Sequence, residues 1–139
     1  MNPSYEPFGE LTYNPRIGWW EGRVTLASGA SFVLYVHTRG GGDNSISEGA
    51  KVAFERMSSS EQTAREFAAS TLLSVHNDTW NEGEKIDIHE FIRRLVPSAI
   101  QVWPNGNAEI SFGDDNLFSG HDVGVRNRGG RFTEAVVQG

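Results

Sequence analysis

The hydrophobic periodicity of this chain changes twice, and the order of those changes limits the folds open to it. Residues 19–26 and 31–38 alternate apolar and polar side chains, as half-buried strands do, with Trp20 and Val24 opposite Trp19 and Glu21. Ser28-Gly29 supplies a turn between them, which predicts a β-hairpin. Apolar residues then recur at helical spacing until about residue 95, after which the alternation returns.

Three helices are predicted between the two β regions, and each has a polar pair suited to capping its first turn. The pairs are Ser45 and Glu48, Ser59 and Gln62, and Asp87 and Glu90. We expect the second and longest helix to end within residues 76–78, because Asn and Asp tolerate the left-handed backbone that stops helices. Pro97 is expected to end the short third helix.

The chain closes in strands. Asn105-Gly106 suits the tight turn of a hairpin between strands near residues 98–103 and 108–112, and alternation continues over 121–126 and 131–137. Sheet, helices and sheet in that order predict an α+β fold, with two or three helices on one face of an antiparallel sheet. That sheet comprises the N-terminal hairpin and a C-terminal β-meander. The length of 139 residues suits one domain spanning 1–139.

Composition excludes several classes of function. The formal net charge of −6 argues against nucleic-acid binding, because a phosphate-binding surface needs clustered basic groups. Cysteine is absent, which removes disulfides and thiolate zinc sites. No basic segment followed by an apolar run opens the sequence, and no apolar stretch is long enough for a bilayer. We therefore expect a cytoplasmic protein without membrane contact.

Histidine offers the clearest candidate for chemistry. None of the four histidines pairs with another at metal-binding spacing, so no metal site and no cofactor is predicted. His121 follows Gly120, precedes Asp122 and comes after an acidic turn that contains Asp115. Nearby carboxylates would suit its imidazole to acid–base catalysis. The alternative is a structural role, in which the imidazole binds a backbone carbonyl and locks the turn.

A second candidate site follows the long helix. Asn77, Asp78 and Trp80 offer an amide, a carboxylate and an indole, which together could orient a small polar ligand. The alternative is a purely structural role, in which the same residues end the helix and Trp80 folds back onto the core.

The neighbouring segment is rich in carboxylates, opposed locally only by Lys85: Asp78, Glu82, Glu84, Asp87 and Glu90. These residues could form an acidic surface for a basic protein partner. They could equally be a solvated loop and a helix start, where acidic groups suit the helix dipole.

One set of positions resembles a known family. They are Asn77, Asp78 and Trp80, then Phe91, Leu95 and Ile100, then Leu117, Phe118, Gly120 and His121, and finally Ala135 and Gly139. Their pattern, within residues 60–139, is similar to the bacterial domain of unknown function 2262. The resemblance implies an α+β domain of bacterial origin and no particular activity. It also connects residues 77–80 with residues 117–121, which makes a shared site plausible if the two segments meet.

Two functional hypotheses follow. The first is a non-enzymatic binding or protein-interaction domain, in one version an antidote-like protein that covers a basic toxin with its acidic segment. It is favoured because nucleophile-elbow and phosphate-loop patterns are absent from the sequence. The second is a small-molecule-binding or hydrolytic domain. There, His121 is the acid–base group, Asp122 or Asp115 orients it, and Asn77 and Trp80 line a cleft.

Overall fold

The computed structural model describes residues 4–81, 83–114 and 117–138. Two short strands form a small hairpin of their own, β1 (Ser4–Tyr5) and β2 (Gly9–Glu10). The helical region comprises α1 (Glu48–Ser58), α2 (Glu61–Val75), a π-helical turn (His76–Trp80) and α3 (Ile88–Arg93). The remaining strands form the main sheet: β3 (Thr12–Asn14), β4 (Trp19–Thr25), β5 (Ser31–His37), β6 (Leu95–Val102), β7 (Ala108–Asp114), β8 (Asp122–Arg128) and β9 (Arg131–Gln138).

The main sheet has seven strands in sequence order, from β3 to β9. Neighbours pair antiparallel, except that β5 and β6 are parallel and align Leu34 with Ile100. A parallel pair needs a crossover connection, and all three helices lie in the segment between β5 and β6. The predicted α+β fold, the hairpin of β4 and β5, and the C-terminal meander are confirmed.

The helices cover one face of this sheet. Alternate residues of the strands are buried against them, including Phe32, Leu34, Val36, Ile100, Val102, Ile110, Phe112, Val123 and Val125. Helices α1 and α2 contribute Ala53, Phe54, Met57, Ala68 and Leu72 to the same core. Burying one large aliphatic or aromatic side chain is worth about 1.5–3 kcal/mol, so this interface holds the layers together. None of the described helices has the length and apolar character needed to cross a bilayer.

The helix starts were predicted with partial success. Asp87 caps α3 as expected, accepting a hydrogen bond from the Glu90 amide at 2.8 Å. The Ser45–Glu48 prediction is wrong, because α1 is capped by Ser47, which accepts from the Ala50 amide. The Ser59–Gln62 prediction is also wrong, since α2 has no side-chain cap. The serines before it donate instead to carbonyls at the end of α1.

Of the two predicted helix ends, the first is right in position and the second is wrong. Helix α2 ends at Val75 with His76 as its C-cap, but without the expected left-handed residue, because His76 keeps right-handed angles and the chain continues into the π-helical turn. Helix α3 ends at Arg93, before Pro97 is reached. Pro97 lies instead within β6, where the pairing with β7 is irregular. Proline has no backbone N–H group to donate to a neighbouring strand. It is tolerated at this position because no such hydrogen bond is needed at a bulge.

Gly49 provides a test of how closely α1 approaches the turn between β6 and β7. A Cβ atom at this position would overlap the carbonyl oxygen of Pro104. We expect Gly49→Ala to lower the free energy of unfolding by about 1–3 kcal/mol through overpacking. Alanine would otherwise be the better helix residue by about 1 kcal/mol. Urea titration measures the difference.

Val52→Ala is the matched control, because Val52 lies in the same helix and is 45% exposed. Its effect should stay within about 0.5 kcal/mol. A Gly49→Ala variant as stable as the unsubstituted protein would show that α1 can move away from the turn at little cost.

Candidate functional site

Asn77 ties the π-helical turn to the segment before α3. Its side-chain Nδ2 donates to the carbonyl of Ile86 at 2.9 Å, and its Oδ1 accepts from the Ile86 amide at 3.0 Å. Asn81 closes the same loop by donating to the Asn77 carbonyl. Any ligand role for Asn77, which stays a prediction, would compete with these bonds.

An aromatic cluster centred on Phe118 joins the two segments that the family resemblance connects. The buried Phe118 ring meets His76, Trp80 and Phe91 edge-on, with ring centroids 5.9, 5.7 and 6.0 Å away. Such perpendicular contacts suit the quadrupoles of aromatic rings. Residues 77–80 and 117–121 therefore meet in space, through the contact of Trp80 with Phe118.

His121 lies at the surface beside this cluster. Its ring is exposed and its centroid is 5.7 Å from that of Trp80, at an interplanar angle of 73°. The His121 amide donates to the Phe118 carbonyl, closing a turn in which Ser119 and Gly120 have positive φ angles. Asp122 opens β8 and is half-buried. Asp115 lies outside the described residues, and the catalytic roles predicted for these three residues stay predictions.

The acidic segment is partly engaged within the protein. Asp78, Glu84 and Asp87 are exposed, whereas Glu82 lies outside the described residues. Glu90 accepts two hydrogen bonds from Arg93, at 2.9 and 2.6 Å, and these lower its pKa below the ordinary value. Asp87 and Glu90 thus serve α3 itself. Their predicted role in binding a basic partner stays a prediction.

The sheet face that points away from the helices carries a row of polar and aromatic side chains. We call it the open face. Cross-strand partners align one row from β4 to β9: Glu21, Tyr35, Gln101, Glu109, Arg126 and Glu134. Trp19, His37, Trp103 and Gln138 also lie on the open face, near this row.

Charged groups on the open face form one network. Glu109 is only 7% exposed, and it accepts hydrogen bonds from Gln138 at 2.9 Å and from Arg126 at 3.3 Å. Arg126 also reaches Glu134, which in turn pairs with Arg128 at 3.1 Å. A buried carboxylate needs such partners to offset its lost hydration. Two carboxylates and two guanidinium groups balance the charge.

Aromatic rings form a second network beside it. The His37 ring stacks on Trp103, with centroids 4.5 Å apart and planes within 4°, and meets Trp19 edge-on at 4.9 Å. Its Nε2 is 2.9 Å from Oε1 of Gln101. Burial lowers the pKa of His37 below its ordinary value, and the Gln101 hydrogen bond only partly opposes that shift. His37 is therefore favoured in its neutral form.

A cleft of about 370 Å³ opens at the end of the aromatic row. It is lined by Trp103, Asn105, Asn107, Ala108, Glu109, Arg126, Asn127 and Arg128. Asn127 is 2% exposed, and its register with Ala108 sets its side chain on the helix side of the sheet. Its Oδ1 has no hydrogen-bond partner among the described residues, an exception to the rule that buried polar atoms are satisfied. Among the described residues, no cluster of histidine and carboxylate groups is arranged for a metal ion.

Reasoning from the sequence missed the open face. It placed Trp19 and Glu21 together on one side of a strand, but it did not single out His37. The stack of His37 on Trp103 depends on β5 lying beside β6, which no local turn signal reveals. One signal was present: Trp19, Tyr35 and His37 are aromatic at positions where a solvent-facing strand surface is usually polar.

The chain is a small α+β domain of a bacterial type. More particularly, it belongs to the family described as uncharacterised proteins conserved in bacteria, domain of unknown function 2262, whose pattern matches residues 5–135. The match includes the N-terminal hairpin as well as residues 60–135, on which the resemblance rests. No curated protein and no solved structure matches the chain.

The loop held by Asn77 gives a stability prediction. We expect Asn77→Ala to lower the free energy of unfolding by about 1–3 kcal/mol, because the Ile86 amide and carbonyl lose their partner. Asp78→Ala, at the exposed neighbouring position, should stay within about 0.5 kcal/mol. Urea titration of both variants is the measurement. Equal effects would mean that the Asn77 bonds add nothing to stability.

The pKa of His37 gives a pH dependence. As pH falls below 6.5, the ordinary pKa of histidine, the unfolded chain takes up a proton that folded His37 resists. The free energy of unfolding should therefore fall with pH until the lowered pKa of folded His37 is passed. We expect this loss in urea titrations from about pH 8 to about pH 5, and a shallower loss in His37→Gln. Parallel curves for the two proteins would contradict the prediction.

Proposed function

We propose that this chain is a non-enzymatic binding domain, and that the open face with its cleft is the recognition surface. The observation that carries the proposal is the row of half-exposed rings of Trp19, His37 and Trp103 beside the charged network of Glu109. Trp, Tyr and Arg supply most of the energy at binding surfaces, because they offer large contact areas together with a polar group.

The rigidity of these rings supports the same function. Trp19 donates its indole Nε1 to Glu21 at 2.7 Å, His37 is held by Gln101, and Trp103 is stacked on His37. Each ring therefore keeps its orientation before a ligand arrives. Binding to a preorganised surface loses little side-chain entropy, which favours affinity.

The same network favours binding over catalysis. Both oxygens of Glu109 and both oxygens of Glu134 lie within reach of Arg or Gln donors. A general acid or base must instead turn toward the proton that it transfers. The carboxylates of the open face hold its arginines in place, and the surface that results is shaped for recognition.

A second candidate function rests on the contact between Trp80 and His121. An exposed imidazole beside an indole could serve a small-molecule-binding or hydrolytic site, with Asp122 or Asp115 to orient His121. His121 directly precedes β8 and Trp80 ends the π-helical turn, so this site shares no residue with the lining of the open-face cleft. The two candidates can therefore be separated by one experiment.

The experiment is a fragment screen that reads the indole N–H resonances of the ¹⁵N-labelled protein. The chain has four tryptophans, at positions 19, 20, 80 and 103, and single Trp→Phe variants assign their signals. We expect bound fragments to shift the Trp103 signal, with a smaller shift at Trp19, because these rings belong to the open face. The Trp20 and Trp80 signals should stay in place.

Two variants serve as matched controls. Asn107→Ala should weaken the fragments that shift Trp103, because Asn107 lines the cleft. His121→Gln should leave those fragments unaffected. Fragments that instead shift Trp80 and are lost in His121→Gln would establish the second candidate. A library that shifts none of the four signals would contradict the binding function.

A further inference from the structure

We propose that the cleft beside Trp103 binds a neutral saccharide, an inference that rests on the binding function proposed above. Three properties of the cleft point to this ligand class: an aromatic surface, polar groups that both donate and accept, and balanced charge. Its volume of about 370 Å³ lies near the lower end of the range for small-molecule sites, about 300–1,000 Å³. A monosaccharide or disaccharide fits that size.

Trp103 supplies the aromatic surface. His37 covers one face of its ring in parallel stacking, so the rest of the indole is what lines the cleft. One face of a pyranose ring presents only C–H groups, and covering it with an aromatic ring removes apolar surface of both partners from water. The fixed orientation of Trp103 would then select a flat, ring-shaped ligand.

The amides of the cleft match the hydroxyl groups of a sugar. Asn105 and Asn107 each offer a hydrogen-bond acceptor and two donors. Arg126 adds donors in a fixed orientation, and Glu109 adds fixed acceptors. A sugar hydroxyl donates one hydrogen bond and accepts others, so neighbouring hydroxyls can satisfy such a mixed lining. A ligand that only donates or only accepts hydrogen bonds would leave some of the polar groups of the cleft without a partner.

The charge of the cleft selects against ions. Arg126 pairs with Glu109 and Glu134, and Arg128 pairs with Glu134, so the guanidinium groups already have anionic partners. A phosphate or carboxylate ligand would have to displace those carboxylates, and Glu109 would then be left buried without its cation. A neutral ligand can bind without disturbing the network.

The test is a titration of the full chain with glucose, galactose, mannose, N-acetylglucosamine, maltose and cellobiose. Tryptophan fluorescence and the Trp103 indole resonance report binding. We expect at least one sugar to bind saturably and to shift the Trp103 signal. Trp103→Ala should abolish that binding, and Val52→Ala, at a 45% exposed position of α1 outside the cleft, should leave it unchanged.

Asn107→Ala is the second variant, chosen to preserve the turn. The hydrogen bonds of Asn107 within the turn come from its backbone amide and carbonyl, which the substitution retains. It should raise the dissociation constant about tenfold or more while leaving thermal stability nearly unchanged. This variant decides the question even if Trp103→Ala fails to fold.

Two competitors separate failure of the ligand class from failure of the binding function. Adenosine is a neutral flat ring, and glucose 6-phosphate is a sugar with a negative charge. Adenosine binding at Trp103 without any sugar would overturn the saccharide proposal and leave the binding function standing. Tighter binding of glucose 6-phosphate than of glucose would overturn the selection against charge. Sugar binding that survives both substitutions would place the ligand elsewhere and refute the proposed site.

Discussion

The parallel pairing of β5 with β6 is the contact on which the rest of the structure depends. Four register pairs, from Val33–Ala99 to Val36–Val102, join the N-terminal hairpin to the C-terminal meander. Without them the chain would hold two small sheets, each with an exposed edge and half a core. The pairing also forces the chain between these strands to cross one face, and the three helices of that crossover supply the apolar cover.

The sheet built in this way has two different faces. The helix side is filled by aliphatic and aromatic residues that need no partners beyond close packing. On the open face several large side chains are tied to one another: Trp19 to Glu21, His37 to Gln101, and Glu109 to Arg126. A surface that contacts only solvent does not need side chains held in fixed orientations. Because its side chains are held in this way, the open face is a better candidate for a binding surface than the acidic segment.

Local features were predictable from the sequence, and long-range ones were not. The hairpins at Ser28-Gly29 and Asn105-Gly106 and the Asp87 cap depend on residues close in the chain, and they were recognised correctly. The π-helical turn was missed, because Asn77 there bonds to Ile86, beyond the reach of capping patterns. The contact of Trp80 with His121 was foreseen only as a possibility, through the family resemblance. The cleft at Trp103 was not foreseen, since its walls come from two strands, β7 and β8, and from the turn that precedes β7.

The position of β6 at the centre of the sheet also has a consequence for how the chain folds. Each hairpin of the sheet closes between neighbouring segments, whereas β5 must find β6 across the whole helical crossover. Closing so long a loop costs conformational entropy before the new contacts offset that cost. We therefore expect the pairing of β5 with β6 to be the rate-limiting step of folding. Until it occurs, the inner edges of the hairpin and of the meander remain free to pair with other chains. The chain is therefore most exposed to aggregation before the alignment that creates the open face is in place.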